Sequence, residues 1–239
     1  MFNLSVLALA TVHIGDPTMN GAVIKPYDNV WLVSLHYNDG RVVERGLSSD
    51  HVRVFDKDGR RYLSRIESEA DLIAVPGEPP KSSASLTFNI FDAATMAPLH
   101  GEARSSDGDF MIRQFDGRSV ITRTADPGKP EQSETVVTAE PAFDFHGGMT
   151  GLLLAALPLR VGYEARLPGV GDHDLDYTQI RVVRRETIRA GRLGRQAAFV
   201  VEIGPTPVKT TYWISKQAPY VLRCLVRSSK GFASWDMIQ

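Results

Sequence analysis

The sequence has little of what usually identifies a function. Its single cysteine, Cys224, excludes an intrachain disulfide. No segment approaches the roughly 20 consecutive apolar residues of a transmembrane helix. The formal net charge is only -1, whereas a nucleic-acid-binding surface requires a concentration of basic residues. We therefore expect no membrane span and no nucleic-acid partner.

Sequence motifs for catalysis and for cofactor binding are also missing. There is no Gly-x-Ser-x-Gly elbow, no phosphate-binding loop with a following lysine, and no His-x-x-x-His or Cys-x-x-Cys pair. Cys224 alternates with Leu222 and Val226 on the apolar face of a strand-like segment, which predicts a buried, structural thiol. The sequence thus predicts neither a cofactor nor a metal, and it favours a binding protein over an enzyme.

What the sequence does contain is a series of about a dozen short segments with strand-like alternation. In residues 30–37, for example, Trp31, Val33 and Leu35 share one face, and Asn38-Asp39-Gly40 then predicts a hairpin. Segments 41–45 and 51–55 are predicted as separate strands. Turn-forming residues recur every 8–12 residues, a spacing typical of a sandwich or barrel rather than of βαβ units.

The segment from Gly151 to Leu157 is the exception, because it has no polar side chain. It predicts a helix over residues 150–157, which Pro158 ends. A helix that is apolar on every side must be covered on every side. The predicted fold is mainly β, a curved antiparallel sheet or half-open barrel wrapped around one short apolar helix, with an N-terminal strand layer.

The domain organisation is predicted from a proline-rich, polar segment at residues 76–84. It would join an N-terminal β layer (1–75), either separate or part of the same domain, to a curved-sheet domain (85–239). Residues 1–10 resemble part of a signal peptide but lack a basic start, so we interpret residues 2–14 as a strand. The protein is expected in the periplasm if a signal peptide has been removed and in the cytoplasm otherwise.

A candidate ligand site follows from the position of Trp213. This residue lies among Lys209, Thr211 and Ser215 on the polar face of a predicted strand, so another element covers it or it lines a cavity. The helix is the natural cover. A pocket for an apolar small molecule, lipid or hydrophobic peptide is predicted, although a filled second core fits the pattern equally well. Its predicted residues are Phe143, Phe145, His146, Met149, Leu153 and Trp213.

Two other functions remain open at this point. An enzyme could use His146 with Asp144, or a cation held by the polar segment Asp172–Asp176, although a solvated loop explains that segment as well. A structural or envelope-assembly protein could instead bind partners through exposed strand edges.

The C-terminal half of the sequence also resembles a known protein family. The resemblance is carried by an ordered set of motifs: Phe88–Asp92, Thr95–Leu99, Phe143-Asp144-Phe145, Leu157-Pro158-Leu159 with Gly162, Thr211–Ser215 and Tyr220–Arg223. Over residues 85–239 the chain resembles an uncharacterised family of β-rich, often exported bacterial proteins, similar to the lipoprotein-carrier (LolA/LolB-like) half-barrel. The resemblance implies a curved sheet around a helix, with an apolar cavity and no catalytic residues.

Overall fold

The fold is described from a computed structural model over residues 9–73, 81–145, 149–171, 174–204 and 209–239. Fourteen antiparallel strands form one sheet in these ranges. The strands are β1 (Tyr27–Tyr37), β2 (Val42–Lys57), β3 (Arg60–Ile73), β4 (Lys81–Asp92), β5 (Pro98–Ser105), β6 (Phe110–Asp116), β7 (Ser119–Ala125), β8 (Gln132–Val137), β9 (Glu164–Val170), β10 (Leu175–Arg189), β11 (Arg195–Gly204), β12 (Thr210–Ile214), β13 (Val221–Ser228) and β14 (Gly231–Met237).

Helical structure is scarce in the described part of the chain. It comprises one α-helix, α1 (Met149–Ala156), and two short 3-10 helices at Gly21–Val23 and Gly191–Leu193. The predicted mainly β fold, with a curved antiparallel sheet and one short apolar helix, is therefore confirmed. None of the described helices is long and apolar enough to cross a membrane.

The sheet consists of two meanders that meet at a central seam. The strands run in the order β8 to β1 and then β14 to β9, so the first and last strands of the chain are neighbours. At the seam Trp31 pairs with Met237, and Tyr37 pairs with Gly231. This pairing unites the N-terminal layer and the C-terminal strands in one sheet.

The hairpins follow the turn chemistry of the sequence. Between β2 and β3, both Asp58 and Gly59 have a positive φ, as a type I′ turn requires. The two short strands expected at 41–45 and 51–55 are instead one continuous strand, β2. Strand β4 begins at Lys81, within the segment expected to be a linker, while residues 74–80 lie outside the described ranges. The proposed domain boundary stays a prediction.

Helix α1 lies against the concave face of the sheet. Seven of its eight residues are buried, which agrees with a segment that has no polar face. A Cβ atom added to Gly151 would lie 2.3 Å from Cγ2 of Val221 and 3.8 Å from the ring of Tyr212. Glycine at this position therefore allows the helix backbone to approach β12 and β13 closely.

The segment Phe143–Phe145, which follows β8 in the chain, contacts strands from both halves of the sheet. The backbone N–H of Phe143 donates to the carbonyl oxygen of Pro168 in β9 at 2.8 Å. The next residue, Asp144, forms an ion pair with Arg113 of β6 at 3.3 Å. Strands β8 and β9 do not pair with each other in the described structure, so this segment connects the two ends of a curved, unclosed sheet.

Candidate functional site

A cavity of about 280 Å³ lies between α1 and the concave face of the sheet. Its walls come from the strands on both sides of the seam and from one residue of the helix. The lining residues are Tyr27, Trp31, Asp50, Arg65, Glu67, Glu69, Leu152, Tyr212, Val221, Cys224, Val226 and Trp235.

One wall of the cavity is aromatic and aliphatic. The strand register places Cys224 of β13 between Tyr212 of β12 and Trp235 of β14, so that these side chains form a row on one face. Trp31 extends the same face onto β1, and Leu152 faces the row from α1. A concave apolar wall with a few polar groups is typical of small-molecule sites.

A second, charged wall continues the same face of the sheet, and most of it comes from β3. Arg65, Glu67 and Glu69 occupy alternate positions of that strand and therefore point to the same side of the sheet. The Arg65 guanidinium lies 2.7 Å from Oδ1 of Asp50 and 3.1 Å from Oε2 of Glu67. Tyr27 completes this group, since its hydroxyl donates to the other Asp50 oxygen at 2.8 Å.

Two further charges extend the network beyond the cavity. Arg45 forms an ion pair with Asp71 and lies 3.8 Å from Oε1 of Glu69. The indole N–H of Trp235 donates to the other Glu69 oxygen at 3.3 Å. We call Arg45, Asp50, Arg65, Glu67, Glu69 and Asp71 the charged network; its four carboxylates and two guanidinium groups sum to -2 when all are ionised.

The proton affinities in this network reflect its burial. Burial raises the pKa of Asp50, although the attraction of Arg65 and the hydrogen bond from Tyr27 act in the opposite direction. Burial also raises the pKa of Glu69, and the hydrogen bond from Trp235 opposes that change. Burial lowers the proton affinity of Arg65, but the carboxylates of Asp50 and Glu67 outweigh it, so the pKa of Arg65 is raised. The guanidinium stays charged because two carboxylates surround it.

Two buried side chains of β1 carry polar atoms without a partner in the described structure. Trp31 is 4% exposed, and its indole nitrogen has no hydrogen-bond acceptor; Asn29 is 2% exposed, and neither amide atom is paired. A polar group that is buried without a hydrogen-bond partner has lost its hydrogen bonds to water, and this lowers the stability of the folded protein by about 1–3 kcal/mol. Of these two residues, only Trp31 lines the cavity.

The titratable groups of the apolar wall are unsuited to nucleophilic chemistry. Burial raises the pKa of the Cys224 thiol to about 12, and it raises the pKa of Tyr212 well above the usual range of tyrosine. Both groups are therefore neutral at physiological pH. A reactive cysteine needs the opposite shift, toward the thiolate.

Of the six residues predicted as a ligand pocket, the five that the structure describes do not line the cavity. Phe143, Met149 and Leu153 are fully buried in the core, and Phe145 is partly buried beside Gly169. Trp213 is 6% exposed and faces away from Tyr212; its indole N–H donates to Glu186. His146 lies outside the described residues. Their role in ligand binding stays a prediction.

The residues considered for catalysis or metal binding are only partly described. Asp144 is buried against Arg113, whereas its proposed partner His146 lies outside the described ranges. Asp172 and His173 lie outside them as well. Among the residues that the structure does describe, no three His, Cys, Asp or Glu side chains are close enough together to hold a metal ion.

The charged wall was not predicted from the sequence, although a signal for it exists. Positions 65, 67, 69 and 71 are all charged and share one face of the strand. Ile66 and Leu72 lie on the opposite face. Such alternation normally places the apolar side inward. In β3 it is reversed: Ile66 is 41% exposed and Leu72 is 60% exposed, whereas Arg65 and Asp71 are buried.

The fold is β-barrel-like, with one curved, unclosed antiparallel sheet and a single α-helix in the part of the chain that the structure describes. A family model described as a protein of unknown function (DUF3108) matches residues 88–231, and the chain belongs to that family. The chain is also similar to the crystal structure of a beta-barrel-like protein of domain of unknown function DUF1849 from Brucella abortus. That likeness has a TM-score of 0.61 at 8% sequence identity and covers 90% of this chain and 97% of the other. No curated protein matches this chain.

Proposed function

We propose that this protein is a non-enzymatic binding module that holds a small, largely apolar molecule in the cavity between α1 and the sheet. The observation that carries the proposal is the cavity itself, about 280 Å³ in volume and lined on one side by aromatic and aliphatic side chains. An apolar cavity of roughly 150 Å³ is sufficient for benzene. The cavity therefore has room for a molecule about twice that size.

The chemistry of the lining supports binding rather than turnover. Cys224 is a neutral thiol, because burial raises its pKa to about 12, and the Arg65 guanidinium is held between two carboxylates. The resemblance to lipoprotein carriers that the sequence suggests stays a prediction, and it would imply an apolar cavity of this kind. A lipid would place only part of its length in a cavity of this volume.

The proposal is tested by native mass spectrometry of the purified protein, followed by denaturing extraction of any bound molecule. Val226→Phe should abolish the bound mass, because Val226 lines the cavity and the larger ring fills it. Val137→Phe is the matched control, since Val137 is 65% exposed on β8. A bound mass that survives in Val226→Phe would place the ligand elsewhere. A stable protein partner in place of a small molecule would favour the structural alternative.

A further inference from the structure

The charged wall of the cavity has more negative charge than the protein neutralises. Its four lining charges are Asp50, Glu67, Glu69 and Arg65, which sum to -2 when ionised. Adding Arg45 and Asp71, the remaining members of the charged network, leaves the sum unchanged. Carboxylates in a partly desolvated site are stabilised by a nearby cation, so an occupant with a positive charge would complement this wall.

Glu69 has the longest ion pair among the carboxylates of the cavity lining, although it also accepts a hydrogen bond from Trp235 at 3.3 Å. Its ion-pair partner Arg45 lies 3.8 Å away and contacts Asp71 more closely. Glu67, in contrast, lies 3.1 Å from Arg65 and accepts a hydrogen bond from Ser48 at 3.2 Å. The Glu69 side chain is 18% exposed. It therefore has both unbalanced charge and access to an incoming group.

The aromatic side chains of the lining provide a second indication of the ligand's chemistry. Four aromatic residues line this cavity together with the carboxylates: Tyr27, Trp31, Tyr212 and Trp235. Aromatic side chains beside carboxylates are the surroundings in which proteins hold organic ammonium groups.

We propose that the ligand is a small organic cation, a protonated amine or quaternary ammonium whose charge lies at Glu69. Its apolar body packs against Leu152, Val221 and the aromatic wall. This inference rests on the proposed function, because it names the chemical class of the molecule bound in the same cavity.

The experiment compares three probes of similar size by isothermal titration calorimetry: the cation 2-phenoxyethylamine, the neutral 2-phenoxyethanol and the anion phenoxyacetate. The cation is expected to bind at least about tenfold more tightly than the neutral probe, as a hydrogen bond to a charged group implies. Glu69→Gln should remove this preference while leaving the affinity for the neutral probe unchanged. Glu134→Gln, an exposed carboxylate on β8, is the matched control and should retain the preference.

The outcomes separate this inference from the proposed function. Equal binding of the cation and the neutral probe, or tighter binding of the anion, would overturn the inference and leave the binding function in place. Failure of all three probes to bind the wild type would also overturn the inference, whereas the proposed function fails only if native mass spectrometry finds no bound molecule. If Glu69→Gln does not fold, as judged by circular dichroism, Glu69→Ala takes its place, and a cation preference that survives in a folded variant at position 69 would refute the assignment.

Discussion

The buried pair of Arg65 and Asp50 makes the sharpest test of the described structure. The Arg65 side chain is 3% exposed and that of Asp50 is 2% exposed. Replacing Arg65 by Met removes the cation and leaves Asp50 and Glu67 facing the same buried space. Breaking one side of a buried ion pair typically costs about 3–5 kcal/mol, because the remaining charge is uncompensated.

For a chain of this size, the Arg65→Met variant should melt about 6–20 °C below the wild type. Urea denaturation followed by tryptophan fluorescence would give the free energy of unfolding directly. Arg123→Met is the matched control, because the Arg123–Glu131 pair has the same chemistry, at 2.6 Å, on the surface. Its loss should cost no more than about 1 kcal/mol.

Two further measurements identify the cause of the loss. In the double variant Asp50→Asn/Arg65→Met the buried charge is removed, so much of the lost stability should return. The difference in the free energy of unfolding between the wild type and Arg65→Met should also shrink as the pH falls from about 8 to about 5. Burial already raises the pKa of Asp50, and without Arg65 it rises further. Asp50 then binds a proton more readily in the folded variant than in the unfolded chain, so lowering the pH stabilises the folded variant. A pH-independent deficit, or a double variant no more stable than Arg65→Met, would refute this reasoning.

Three other substitutions test the packing. Leu154→Ala should cost about 2–5 kcal/mol in thermal or urea unfolding, because Leu154 is fully buried in α1; a smaller loss than 1 kcal/mol would contradict the buried position of the helix. Gly151→Ala should cost about 1–3 kcal/mol, since its Cβ would lie 2.3 Å from Val221, and the double variant Gly151→Ala/Val221→Ala should recover part of that loss. Asn29→Leu should raise the free energy of unfolding by about 1 kcal/mol, because neither amide atom of this buried residue is paired in the described structure; a destabilised variant would show that Asn29 has a polar partner.

The general architecture could be predicted because its signals are local. Asp58-Gly59, a sequence typical of hairpin turns, forms a tight turn. The apolar segment 150–157 forms a buried helix one residue earlier, at Met149–Ala156. Strand lengths were harder to predict. Gly46 lies inside β2, where a glycine is usually read as a break. A Cβ there would lie 2.0 Å from the carbonyl oxygen of Ala70, so glycine allows the neighbouring strand to approach and the strand continues through it.

The position of the cavity could not be predicted for a different reason. Alternation shows which residues share a face of a strand, but it does not show which face points inward. Trp213 and Tyr212 are adjacent, and the sequence gives no reason to place Tyr212 rather than Trp213 toward the helix. In β3 the usual rule would also place Ile66 inward, yet Arg65 and Glu67 occupy that side. Both choices depend on the long-range pairing of the strands.

The seam between β1 and β14 has a consequence for synthesis of the protein on the ribosome. The complete N-terminal meander ends at Val137, whereas the partner of β1 begins only at Gly231. At about 5–20 residues per second, the intervening hundred or so residues take roughly 5–20 s to synthesise. During that interval β1 has an unpaired edge with a bare hydrogen-bonding ladder, which is a template for association with other chains. The nascent protein therefore exposes this edge to other chains from the completion of β8 until β14 pairs with β1.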